Sequence, residues 1–170
     1  MSQTNAKRLA EHLDSLFARE TGNWHVPATL ALDGLDARRA AWRPEGLSHS
    51  VWDLVNHLRY ENQSVLHRWT GAPAPTPAPD PTETPNWPPA GDPDDAAAWQ
   101  EAQERLWAAH RGLVAYLRGV DDADLDSPPP GGSQPRRKTV EGIIGHNSYH
   151  LGQIVFLRRL QDSWQIWQGY

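Results

Sequence analysis

The sequence contains no cysteine, one methionine, two phenylalanines and no long hydrophobic run. Without cysteine there is no disulfide, no protein thiolate nucleophile and no cysteine-ligated zinc, so a metal here would need imidazole, carboxylate or water ligands. No window approaches the roughly 20 apolar residues of a membrane span, and the N-terminus lacks the apolar stretch of a secretory signal, which makes the cytoplasm the expected compartment. Positive charge is also short: 21 acidic residues outnumber 16 Lys and Arg, for a net charge of −5 and an isoelectric point near 5.9. Phosphate neutralisation needs a basic face. The run Arg136, Arg137, Lys138 is too brief to supply one, so nucleic-acid binding is not expected.

What the chain does have is proline, tryptophan and histidine, in a length of 170 residues that suggests one globular domain, 1–170. Nine of its 15 prolines fall between Pro73 and Pro93. That stretch lacks amide donors and periodic apolar residues, so it reads as a long external connection. A second break runs from Ser127 to Pro135. Elsewhere no alternating apolar and polar run is bounded by turn residues, so no strand is expected.

The remaining segments have helical periodicity. Leu9, Leu13 and Leu16 share one face of a first helix over about Ala6 to Glu20, with Gly22-Asn23 as its stop. Pro27 then suits the first position of another helical stretch reaching about Leu35. A second long helix starts at Ser48 or Ser50, where Ser50 and Asp53 approximate a capping box, and runs to Trp69 before Gly71. Its apolar stripe is Val51, Leu54, Val55, Leu58, Val65, Leu66 and Trp69. The third opens at Asp92-Pro93-Asp94-Asp95, with Pro93 at its first position, and ends at Gly119. Its inner residues are Trp99, Leu106, Leu113, Val114 and Leu117. The fourth begins near Thr139 as its cap and turns Val140, Ile143, Ile144, Leu151, Ile154 and Val155 inward. Four long amphipathic helices predict an all-α four-helix bundle, with the Pro-rich loop between the second and third.

His146 and His150 lie four apart on the fourth helix, one turn above the other, on the flank of its apolar stripe, and Gln153 continues that flank. His57 and Glu61 repeat this spacing on the second helix, displaced from their stripe by about the same angle in the same sense. If the two flanks face each other, three imidazoles and a carboxylate converge. Three protein ligands with one position left open is the pattern of a reactive metal site. The plainer alternative is a polar helix edge without a metal. Gly142, Gly145 and Gly152 favour the metal, because each costs about 1 kcal/mol relative to Ala within a helix unless a backbone or ligand must approach closely.

These residues resemble the DinB-like (DinB/YfiT-like) metal-binding four-helix bundles over most of the chain. Trp24-His25-Val26-Pro27, Leu35 and Trp42-Arg43-Pro44 are similar to the family's first connection, and His49 to Leu58 to its second helix. His146-Asn147-Ser148-Tyr149-His150-Leu151-Gly152-Gln153-Ile154 is the most specific match, to its last helix. The chain departs in its Pro-rich insert and at Val26, where relatives often have Gly. The resemblance implies a divalent ion, zinc or nickel, held by His57, His146 and His150 with water completing the shell. It also implies a homodimer, and a transferase joining a small-molecule thiol (bacillithiol, mycothiol or glutathione) to an electrophilic substrate in stress or detoxification. A metal-dependent hydrolase and a non-catalytic metal-binding stress protein are the alternatives.

Glu61 is the candidate catalytic residue. Its roles remain open between a fourth ligand, a base, a partner orienting His57 and a merely exposed carboxylate. His110 falls in the centre of the third helix's stripe and reads as a core residue. His12 and His67 read as surface or edge positions. His25 and His49 flank helix starts, where capping and packing is the default and support of the site the alternative. Tyr149 and Asn147 project away from the site on the helical wheel. Trp87 is the expected anchor of the Pro-rich loop near the pocket mouth. Trp164 and Trp167 could cover the bundle end or a dimer contact.

Overall fold

The computed structural model describes residues 4–18, 24–72, 74–75 and 85–164. Its described elements are all helical: α1 (Asn5–Ser15), α2 (Ala28–Ala31), α3 (Ala37–Ala41), α4 (Val51–Thr70), α5 (Ala96–Gly119), α6 (Asp122–Leu125) and α7 (Arg136–Leu160). α4 packs on α5 and α7, and α1 packs on the same two, so among the described residues α1 stands diagonally across the bundle from α4. Leu13, Leu54, Leu58, Leu106, Leu113, Leu151 and Ile154 fill the shared interior. None of the described helices is long and apolar enough to cross a membrane.

Local chemistry explains where the boundaries differ from the sequence expectation. α1 ends at Ser15 instead of Glu20. The carbonyls of Leu16 and Phe17 accept from the amides of Ala28 and Thr29, so the returning chain satisfies them where a further helical turn would have done so. The expected stop at Gly22-Asn23 lies outside the described residues. Pro27 is the cap of α2 and not its first residue. The stretch to Leu35 breaks after one turn, and Gly34 takes up a left-handed φ of 66°. Asp36 then caps the short α3 by accepting from the Arg39 amide.

α4 follows the sequence closely. Ser50 and Asp53 form a reciprocal capping box at its start, and Gly71 closes it in the left-handed region. α5 begins at Ala96 with Asp95 as cap, so Pro93 sits in the preceding turn and not at the first helical position. α7 begins a turn before Thr139, which is therefore an interior residue and not a cap. Pro135 offers no side-chain cap there. Arg136 takes over the anchoring, with its amide bonded to the Ser127 carbonyl and its guanidinium to the carbonyls of Asp124, Ser127 and Pro128. The unexpected α6 has a use of its own. The Asp122 carboxylate accepts from the Asn5 and Ala6 amides and so satisfies the start of α1.

Candidate metal centre

α4 and α7 run antiparallel. Asn62 pairs with Asn147, His57 meets His146 and His150, and Leu54 faces Gln153 and Leu157 across a cleft. The two polar flanks read from the sequence therefore face each other. His57, His146 and His150 each place a ring nitrogen within 4.8 Å of the others, and the Nε2 atoms of His57 and His146 are 3.0 Å apart. His57 and His150 are buried, and His146 is half-buried.

The Nδ1 side of each ring is committed elsewhere. A backbone carbonyl can only accept, so His57 Nδ1–H donates to Asn86 O at 2.6 Å. His150 Nδ1–H donates to Gln153 Oε1 at 2.6 Å, and Gln153 is itself oriented by donating from Nε2 to the Tyr149 hydroxyl. His146 Nδ1 faces Asn147 Oδ1 at 3.4 Å, while Asn147 donates to Asn62. With the proton on Nδ1, each Nε2 presents a lone pair. Two lone pairs 3.0 Å apart repel unless a cation lies against both. Ligands of a tetrahedral ion with metal–nitrogen bonds of 2.0–2.1 Å lie about 3.3 Å apart. The donor set, and the spacing of its His57–His146 pair, thus fit a divalent ion. Burial, foremost, pushes the His150 pKa down to about 4 and holds that of His57 below its ordinary value. Burial thus favours the neutral ring in both, the form that metal ligation requires.

The end of the Pro-rich connection forms one wall. Trp87 is stacked between His57, at a ring-centroid distance of 3.8 Å, and His49, also at 3.8 Å. This strap is fastened on either side of Trp87. The Asn86 amide donates to Glu61 Oε1, Asn56 donates to the Pro88 and Pro89 carbonyls, and the Ala90 amide donates to Asp53. Asp53 is buried, which would raise its pKa, but its hydrogen bonds to Arg43 and Ser50 outweigh burial and hold it below the ordinary range. Beside the triad, Leu47, Ser48, His49, Leu54, Gln153, Phe156 and Leu157 line an apolar cleft of about 230 Å³.

Glu61 does not contribute to the cluster of converging ligand atoms. It reaches His57 through Asn86, accepting from the side chain whose own backbone carbonyl holds the His57 ring. Trp87 occupies the anchor position expected of it, and His49 lines the cleft and stacks in the wall. Asn147 and Tyr149, expected to point elsewhere, both reach the site: Asn147 contacts His146 itself, and Tyr149 accepts from Gln153, the partner of His150. A helical wheel gives the direction of Cβ but not the reach of the side chain beyond it. Asn86 had no signal of its own, since its contribution is a main-chain carbonyl in a segment without periodicity. The glycines of α7 do not serve a close approach within the chain: a Cβ at Gly142, Gly145 or Gly152 would meet nothing within 4 Å.

The other histidines separate as the sequence suggested. His110 is 2% exposed, stacks on Phe17 at 3.7 Å and faces Asp14. His12 is exposed. His25 contacts the Ser15 carbonyl, and His67 bonds the Ala72 carbonyl at the end of α4. Trp164 packs against the core beside the Arg158 guanidinium, whereas Trp167 lies outside the described residues.

The family profile described as the DinB superfamily matches residues 23–154. No curated protein and no solved structure matches the chain.

Proposed function

The chain belongs to the DinB superfamily, and from that premise we propose that it is a divalent-metal-dependent transferase joining a low-molecular-weight thiol, of the bacillithiol, mycothiol or glutathione type, to an electrophilic small molecule. The observation that carries this reading is the convergence of three imidazole nitrogens, one each from His57, His146 and His150, beside an apolar cleft. His57, His146 and His150 would hold the ion, zinc or nickel by the family resemblance, either of which imidazole donors accept. Bound there, the ion would supply a Lewis acid able to lower the pKa of a sulfhydryl group.

The chain's own residues set the geometry. Asn86 and Gln153 fix the rings of His57 and His150, and Trp87 with His49 shields one side from water. Leu47, Leu54, Phe156 and Leu157 offer an apolar surface to the electrophile. In the reaction the thiol proton passes to solvent and a sulfur–carbon bond forms. The leaving group departs with the electron pair of the bond it breaks. Among the described residues no Arg or Lys lines this cleft, so the thiol's carboxylates would point outward. Glu61 is engaged by Asn86 outside the ligand cluster, which favours thiol transfer over a hydrolase that needs a free base beside the ion.

A homodimer is part of the same proposal. Tyr149 and Phe156 are 64% and 55% exposed on α7, with Gly152 between them, and support a second copy packing on this face. Light scattering on the purified chain should give twice the monomer mass, and a monomer at micromolar concentration would remove this part.

Metal-loaded protein incubated with monochlorobimane and each thiol in turn should form the fluorescent conjugate with at least one thiol. The rate should be lost on chelation and in His150→Ala. Stoichiometric metal without conjugation to any thiol would overturn transfer and leave the hydrolase and the non-catalytic metal-binding protein as the readings.

A further inference from the structure

On another face of α4 lies a cavity of about 390 Å³ with no part in the proposed reaction. The buried Trp52 and Ala102 form its floor, Ala98 and Pro89 are the apolar residues open to it, Pro88 and Gly91 of the strap complete its rim, and its polar groups include Asn56, Arg59, Glu101 and Arg105. The strap backbone lies so close that a Cβ on Gly91 would come within 2.8 Å of the Trp52 ring. Glycine there lets the strap pass over the indole.

Arg59 is the group that needs explaining. It is only 8% exposed, yet among the described residues no carboxylate pairs with it. Its hydrogen-bond partner among the described residues is Gln63 Oε1, which accepts from Nη1 at 2.7 Å. Arg105, on the same cavity, already pairs with Glu101 at 2.5 Å. A guanidinium stays protonated when buried, and removing it from water without a counter-charge is costly. Two guanidinium groups against one carboxylate leave a single positive charge on a cavity of ligand size.

We propose that this cavity is a second binding site, for a small organic monoanion whose carboxylate pairs with Arg59 and whose flat apolar body lies against Pro89 and Ala98 between α4, α5 and the strap. A planar carboxylate matches the guanidinium fork. A phosphate dianion matches poorly, because Glu101 leaves only one net charge. The site stands apart from the metal reading, since none of its lining residues is a proposed ligand. It adjoins the metal centre through α4, where Asn56 neighbours His57, and through the strap, which carries Asn86 and Trp87 on one side and Pro88 to Gly91 on the other.

The test is calorimetric titration of the full chain with benzoate, 2-naphthoate, benzyl alcohol and inorganic phosphate, with metal content recorded throughout. Benzoate or 2-naphthoate should bind once per chain, and benzyl alcohol and phosphate about tenfold or more weaker. Arg59→Met, which keeps the side-chain length, should weaken carboxylate binding about 10–100-fold while its metal content stays at the wild-type value. Ala102→Leu, which fills the floor and leaves Arg59 in place, should weaken it as well. Absence of carboxylate binding to the wild type, equal binding by Arg59→Met, or tighter binding of phosphate would each overturn the proposal.

Discussion

Trp87 lies flat on the imidazole of His57, with ring planes 2° apart and centroids separated by 3.8 Å. A residue from the least regular part of the sequence thus sets the plane of a candidate ligand on the most regular helix. Its other face is covered by His49. Trp87→Ala should free the His57 ring and expose the site to water, lowering metal affinity about 10–100-fold, the usual effect of removing a group that orients a ligand. Competition against a chelator of known affinity measures this. Unchanged affinity would mean that the Asn86 carbonyl alone holds the ring.

Core and site histidines should separate on mutation. His150→Ala should abolish stoichiometric divalent metal binding with little change in the stability of the metal-free chain. His110→Ala should keep the metal and lose about 2–3 kcal/mol of stability with its Phe17 stack. Metal analysis paired with denaturant titration reads both, and the reverse pattern would exchange the two roles.

Glu61 acts on His57 through Asn86, which predicts a small effect for Glu61→Gln. The amide oxygen can still accept from Asn86, so the metal should remain stoichiometric with affinity reduced less than about tenfold. Loss of the metal would instead identify Glu61 as a ligand. A collapse of the conjugation rate with metal retained would identify it as a base.

His110 also makes stability depend on pH. Burial, foremost, lowers its pKa from 6.5 to about 4, with the Asp14 carboxylate opposing part of the shift. Between these values the unfolded chain takes up a proton that the folded chain refuses, so stability is full above about pH 6.5 and falls as the pH drops towards 4. The difference between wild type and His110→Leu, both metal-free, isolates this contribution, at most about 3 kcal/mol across the window. Parallel pH profiles for the two proteins would show that His110 titrates normally.

Periodicity made the bundle and the three histidines legible. An amphipathic helix must bury its stripe, and spacing of four residues places His146 above His150 whatever surrounds them. Capping chemistry was legible where it is local, as at Ser50 and Asp53. It misled where a distant group replaced it, as at the start of α7, where Arg136 is bonded back to Asp124, Ser127 and Pro128. The glycines of α7 misled for the opposite reason. Their cost within a helix is a property of the chain, but what approaches them is not, and nothing within the described residues does.

The sequence by itself therefore determined the helical class, the exclusion of cysteine chemistry, and which imidazoles could share a face, because each follows from residue type and a 3.6-residue period. Only the tertiary structure decided that α4 and α7 meet antiparallel in the register that brings His57 to His146. It also decided that the strap returns to lay Trp87 on His57 and the Asn86 carbonyl on its Nδ1, and that Arg59 is buried without a carboxylate partner among the described residues. These are contacts between residues 29 to 89 positions apart or the absence of such contacts. Their partners are chosen by how helices and loop fill space together, and no local period records that choice.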